Sequence, residues 1–178
     1  MEADKKALGR KNKRPAFNDI VWKYEILLRK CEYYQNISSR NPIHKFLGEW
    51  CRYKRFRMGL LCGFSIPLNT CGKGLCLAHI GPIVISNYAT IGDNCRIHID
   101  VNIGADARDG KAAPHIGNNV YIGPGAKIFG NVIIADNCAI GANAVVNKSF
   151  ETENCSIAGV PAKVINTKGI SNILSLKF

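Results

Sequence analysis

Acidic residues are scarce in this chain. It holds 24 Lys and Arg against 13 Asp and Glu, a formal net charge of +11. The deficit is local: residues 1–59 carry 15 basic and 6 acidic side chains, a net of +9, which leaves +2 for residues 60–178. An excess of this kind is drawn to anionic membrane surface, nucleic acid or acidic polymer; the plain alternative is a solvated tail and solvated helix faces. A nucleic-acid module would spread its cations along one exposed face with aromatics among them. Residues 60–178 do not, so no nucleic-acid partner is expected, and peripheral association of the N-terminal third with an anionic membrane is an expectation from charge alone. Long apolar runs are missing too. Nothing approaches the roughly 18 residues of a membrane span. The first residues, MEADKKALGRKNKRPAF, lack the apolar core of a secretory signal. No C-x-x-C pair and no His/Cys spacing suited to structural zinc occurs among the 8 cysteines, so no metal is expected.

What the chain has is a six-residue repeat. Ile85, Ile91, Ile97 and Ile103 stand six apart, and Ile116, Ile122, Ile128, Ile134, Ile140 and Val146 resume the spacing. Neither a 3.6-residue helix nor a period-2 strand repeats its core residue this way; a stacked solenoid does, and a hexapeptide period points to a parallel β-helix. Two residues before each beat sits a small or aliphatic residue: Ala89, Cys95, Val101, Val120, Ala126, Val132, Cys138, Ala144. Cys95 and Cys138 therefore read as small core residues, not disulfide partners, and a reduced, cytoplasmic protein is expected.

Counted backward from Ile91, the repeat extends to Ile83, Leu77 and Cys71 if a two-residue insertion lies between Ile83 and Ile91. Three hexads make one coil, so Leu77 should stack beneath Ile97. The step from Ile103 to Ile116 is 13, leaving seven extra residues to protrude within Gly104–His115. Long loops on a rigid scaffold are where function concentrates. Before the repeat, Asn18 is a candidate cap for a helix to Asn36 with Ile20, Tyr24, Leu27, Leu28 and Cys31 on one face. Asn41-Pro42 opens a second, ending near Gly63, with Ile43, Phe46, Leu47 and Trp50 expected inward. The expected organisation is mainly β. It runs from a disordered basic tail (1–17) through a helical region (18–63) to a β-helix (64–165) with a protruding loop (104–115), then a C-terminal tail (166–178).

A β-helix is only a scaffold. Its chemical candidates are His79, His98 and His115, beside the two irregularities; His44, in the helical region, reads as a surface or satisfied residue. His79 and His98 fall in neighbouring coils, one residue out of step, and so are expected on different sides of the wall. A histidine held within reach of a hydroxyl is worth about 10²–10⁴ in rate as general base.

The stretches GKGLCLAHIGPIVIS, YIGPGAKIFGNVIIADNCAIGANAVV and GVPAKVI resemble the hexapeptide-repeat acyltransferases with a left-handed parallel β-helix. The serine acetyltransferase branch, and its relatives in capsule and O-antigen gene clusters, is the most similar. The resemblance covers residues 60–165. It implies an acetyl-CoA-dependent O-acetyltransferase, a homotrimer with sites between subunits. His79 matches the general base, with His98 and His115 as candidates to assist. It places the cofactor against Gly104, Ala105, Gly123, Pro124, Gly141, Ala142, Pro161 and Lys163; the plain alternative for each glycine is a corner of the coil. The chain departs from the serine enzymes, whose pattern has an aspartate where Ala78 stands, another where Phe64 stands, and a histidine before proline where Ala113-Pro114-His115 is read. The loss of carboxylates that grip an amino group makes a sugar hydroxyl, in surface polysaccharide assembly, the expected acceptor. Serine O-acetyl transfer is the alternative enzyme, and a non-catalytic scaffold or polyanion-binding module the alternative class. The expected location is the cytoplasm, peripheral at the inner membrane face. Direct transfer is expected, with Cys71 and Cys76 beside the motif as packing residues.

Overall fold

The structure is a computed structural model that describes residues 1–37 and 41–173. Three helices come first: α1 (Glu2–Ala7), α2 (Ile20–Asn36) and α3 (Pro42–Cys62). The coil follows. Its first turn carries β1 (Phe64–Ser65) and β2 (Cys76–Leu77); the second β3 (Ile83–Ile85), β4 (Thr90–Ile91) and β5 (Arg96–Ile97); the third β6 (Val101–Gly104), β7 (His115–Ile116) and β8 (Tyr121–Ile122). The fourth carries β9 (Lys127–Phe129), β10 (Ile133–Ile134) and β11 (Ala139–Ile140), the fifth β12 (Val145–Val146) and β13 (Ser156–Ala158). β14 (Lys163–Asn166) then folds back antiparallel on β13, and a 3₁₀ turn spans Gly169–Asn172.

Successive strands go to different walls, and each pairs in parallel with the strand one coil away. The result is a three-walled parallel coil. The beats form columns: Ile85, Ile103, Ile128 and Val146 in the first wall; Cys71, Ile91, Ile116, Ile134 and Phe150 in the second; Leu77, Ile97, Ile122, Ile140 and Ile157 in the third. Leu77 does stack on Ile97. Every beat from Ile85 to Val146 is at most 4 % exposed. Each such isoleucine contributes about 1.5–3 kcal/mol of burial. The corners are asparagine's work. Asn94, Asn119, Asn137 and Asn154 take positive φ between the second and third walls. Asn94 donates to Asn119 and Asn119 to Asn137 at 3.2 and 2.9 Å, a side-chain ladder along the coil.

Four expectations change. The two-residue insertion lies at 78–82, because Ile85, not Ile83, is the beat: Ile83 pairs with Val101 and Ile85 with Ile103. Past Val146 the coil completes its fifth turn through Phe150 and Ile157, within the expected bounds, with larger and polar residues interrupting the hexad. Residues 1–17 are not a featureless tail: α1 is anchored by the buried Asp4, which accepts hydrogen bonds from the Gly74 and Leu75 amides. Finally, α3 does not turn Ile43, Phe46 and Trp50 inward; they are 63 %, 68 % and 48 % exposed, because its inner face uses Gly48, Gly59 and Cys62 for close approach to α2 and the coil. Asp19, not Asn18, caps α2, accepting from the Trp22 amide. Asn41 caps α3, and Gly63 ends it in the left-handed conformation at φ 75°. The part of the expected tail at 174–178 lies outside the described residues. Among the described residues, no helix is long and apolar enough to cross a membrane.

Candidate active site

His79 sits in the inserted segment, at the corner between the third wall and the first. That corner is tied down on both sides. Ala78 donates its amide to Ile97 O at 2.9 Å, and the Leu77 amide donates to Glu25 Oε1 at 3.0 Å from inside α2. Gly81 and Ile83 donate to Cys62 O and Gly63 O, at the end of α3. The helical region thus fixes the backbone on which His79 stands, while its imidazole is exposed.

The two extra residues let the corner bulge and bring His79 over the next coil. Its ring lies 5.6 Å, centroid to centroid, from that of His98, which lies 5.0 Å from Tyr121. The expectation that the two histidines point to different sides is therefore corrected: a regular register would separate them, and the bulge does not. His98 is half-buried with Nε2 lacking a partner, and Arg96 Nε beside it is likewise unpartnered. Burial, with the charge of Arg96 and then His79, pushes the His98 imidazole down to about 4. It is neutral at physiological pH.

A cleft of about 480 Å³ opens in front of His79. The coil lines it with Ala78, His79 and Ile80, and the segment ahead of α2 with Arg10, Asn12, Asn18 and Asp19. Asp19 Oδ2 pairs with Arg10 Nε at 2.7 Å. A carboxylate and a guanidinium thus share the cleft with the imidazole. Sequence reasoning missed both, since they lie far from the histidine in the chain and on no repeat; Asp19 as a helix cap was the available signal.

His115 is elsewhere. It begins β7 on the outer face of the second wall, where Nδ1 and Thr90 Oγ1 share a hydrogen bond of 2.7 Å. The loop before it is closed by the Asp106 backbone amide donating to Ala112 O, with Arg108 paired to the Asp106 carboxylate. Arg108 holds that carboxyl down to about 2. Gly104 and Ala105 lie at the root of this loop. A Cβ at Gly104 would meet only Asn102 Oδ1, at 3.1 Å, so the coil does not itself demand glycine there. Gly123, Pro124, Gly141 and Ala142 lie at the His79 corner, two and three coils on. At Gly123 a Cβ would come within 2.8 Å of the Ala142 amide nitrogen, so coil stacking already requires that glycine. Pro161 and the exposed Lys163 follow β13 beside the same edge. A single chain therefore does not bring the loop root and the histidine corner into one site. Cys71 and Cys76 are buried, and burial pushes both thiols up to about 11, which suits packing rather than nucleophilic attack.

Comparison with known proteins shows what the chain as a whole is similar to. The family described as bacterial transferase hexapeptide (six repeats) matches residues 113–148. A serine acetyltransferase of Synechococcus elongatus is 37 % identical over 113 residues, 62 % of this chain and 46 % of that protein. The chain thus spans about half the length of the curated relatives it matches. Among solved structures, serine acetyltransferase from Brucella abortus in complex with coenzyme A is similar at TM-score 0.71 and 26 % identity, over 94 % of this chain and 67 % of that one. Serine acetyltransferase from Neisseria gonorrhoeae in complex with serine is similar at TM-score 0.63 and 27 % identity, over 93 % and 67 %. These likenesses overturn the expected sugar acceptor and surface-polysaccharide setting. That expectation rested on the carboxylates missing at Ala78 and Phe64; Asp19 is a carboxylate that lines the cleft.

Proposed function

We propose that this chain is an acetyl-CoA-dependent O-acetyltransferase with serine as acceptor. The observation that carries this reading is the cleft in which His79, Asp19 and Arg10 meet. Serine brings an ammonium, a carboxylate and a hydroxyl. Asp19 suits the first, Arg10 the second, and His79 the third. Serine binding would exchange the Arg10–Asp19 pair for two pairs with the substrate, so little net charge is buried. His79 then takes the hydroxyl proton as the serine oxygen attacks the thioester carbon. The proton goes on to the departing thiolate, and no acyl-enzyme is needed. His98, kept neutral by burial, places no repelling charge beside His79 at the moment it becomes an imidazolium.

The donor is acetyl-CoA, which supplies the activated acetyl group. The open surface at Gly104 and Ala105, the small corner residues Gly123, Pro124, Gly141 and Ala142, and the exposed Pro161 and Lys163 are the positions that would hold it; Lys163 would meet phosphate as a point charge. A homotrimer, with the site between subunits, would let the loop root of one coil face the histidine corner of the next. The outward-facing Val84, Phe129 and Ile133, each 42–45 % exposed, are apolar surface suited to that contact. His115 would join the site only from a neighbouring subunit. A left-handed coil, a cytoplasmic location and peripheral contact with an anionic membrane complete the reading.

Thiol release with L-serine tests it. We expect turnover of serine but not of glycerol, which lacks both charged ends. His79→Ala should lower kcat by about 10²–10⁴ while coenzyme A binding by calorimetry is unchanged. Asp19→Asn should act chiefly on the KM for serine. No turnover of serine, or full activity of His79→Ala, would overturn the proposal.

A further inference from the structure

We propose that the outer face of α3, with the cleft beside it, is a docking surface for an anionic lipid bilayer. This deepens the peripheral membrane contact of that reading by naming its surface, and does not rest on acetyl transfer.

Helical spacing gathers Ile43, Phe46, Trp50, Tyr53, Leu60 and Leu61 into one stripe, each side chain 48–76 % exposed. The stripe runs the length of α3, about 30 Å. An exposed apolar stripe of this extent marks an interaction site. Its borders say with what. Lys54 lies 4.9 Å over the Trp50 ring and Arg57 5.9 Å over Tyr53. Lys45 and Arg52 flank the other edge, and the one acid on the helix, Glu49, is neutralised by Arg52 at 2.7 Å. A second copy of this face would set cations against cations. An anionic bilayer complements both features: the stripe enters the acyl boundary, the aromatic rings sit at headgroup level, and the cations meet phosphate.

A second feature adjoins the first. Between α1, α2, α3 and residues 13–15 lies a cleft of about 540 Å³. Its floor is Trp22, Ile26, Leu27 and Met58, and its rim includes Lys13, Arg14, Lys30 and Lys54. Its one acid, Glu2, is paired with Lys5 at 3.6 Å. An apolar floor under a cationic rim suits a phosphodiester headgroup with the start of its acyl chain. Lys54 belongs to both features and joins them into one surface.

The test is flotation of the full chain with vesicles of phosphatidylcholine alone or mixed with phosphatidylserine. We expect binding to the mixed vesicles only, reversed by salt, with a blue shift of Trp50 emission. Trp22, 4 % exposed, keeps its emission and reports that the fold is intact. Phe46→Glu with Leu60→Glu should abolish flotation, and Lys54→Gln or Arg14→Gln should each weaken it about fivefold. The proposal is overturned if wild type ignores phosphatidylserine vesicles or if the double variant still floats. It is equally overturned if the double variant sediments as a smaller species while wild type shows no lipid dependence, which would make the face a contact between copies.

Discussion

The coil and the helical cap in front of it are held together in opposite ways. In the coil, stability is spread evenly. Every turn after the first repeats the apolar column, small inward slot and asparagine corner, and no single residue stands out. In the cap, stability is concentrated. The first turn of the coil presents amides with no coil above them, and α1 and α2 satisfy these with buried side-chain carboxyl groups: Asp4 for Gly74 and Leu75, Glu25 for Leu77, Glu32 for Asn69. Arg29 then balances Asp4 and Glu32 at 3.0 and 2.9 Å and donates to Cys71 O and Gly72 O. The far end is closed chiefly by backbone, with β14 laid antiparallel on β13. A repeat can extend itself, but it cannot end itself; its open edges need chemistry the repeat does not contain.

The sharpest way to break this comparison is Arg29→Met. It strands two buried acids and two carbonyls, and should cost about 3–5 kcal/mol in denaturant unfolding. Arg52→Met, which removes a surface pair on α3, should cost less than about 1 kcal/mol. If the two are alike, the cap is not the concentrated element described. Next in size are the beats. Ile122→Ala and Ile128→Ala should each cost about 2–5 kcal/mol and should match one another closely, since both are fully buried in the same kind of column. A large difference between them would mean that stability in the coil is not evenly spread.

The same contrast explains what could be read from the chain. The coil is legible because its rule is local and repeats: ten beats, their inward partners and the stacking of Leu77 on Ile97 all follow from counting. His79 and His98 could be picked out, but not their meeting, because the bulge at 78–82 shifts them by an amount that periodicity does not carry. The cap is poorly legible. Asp4, Glu25 and Glu32 look like ordinary charges in a basic helical region, and nothing local says that their partners lie 37 to 71 residues away. The α3 face was misjudged for a related reason. Helical periodicity locates an apolar stripe but does not say that glycines and Cys62 form the buried side instead. Asp19, likewise, is invisible as a site residue until the fold lays the start of α2 beside His79.

Glu25 sharpens the comparison through pH. Burial pushes its carboxyl well above the usual value of 4.5, with the Leu77 amide only partly offsetting, and Oε2 has no partner. A folded pKa raised above the unfolded one means that the native state holds the proton longer. This contribution to stability is present below about pH 4.5 and is lost as pH rises toward the raised value. Glu25→Gln keeps an acceptor for the Leu77 amide and removes the titration. The wild type should lose stability as pH rises above about 4.5, and the variant should lose less. Parallel curves would show that Glu25 is not the buried acid it is taken to be.

His98 gives the smallest effect, and it titrates the other way. Its imidazole is pushed from 6.5 down to about 4 by burial, with Arg96 and then His79 adding repulsion. The unfolded chain therefore binds a proton that the folded chain refuses between those two values, and stability falls as pH drops from 6.5 toward 4. His98→Phe keeps a ring against Tyr121 and removes the unpartnered Nε2. Its unfolding free energy at neutral pH should stay within about 1 kcal/mol of wild type. Its slope between pH 6.5 and 4 should be shallower, read by denaturant titration at several pH values. If the variant and the wild type fall in parallel through that window, His98 does not refuse the proton. The imidazole beside His79 would then titrate like an ordinary histidine, and its burial would not be what keeps charge away from His79.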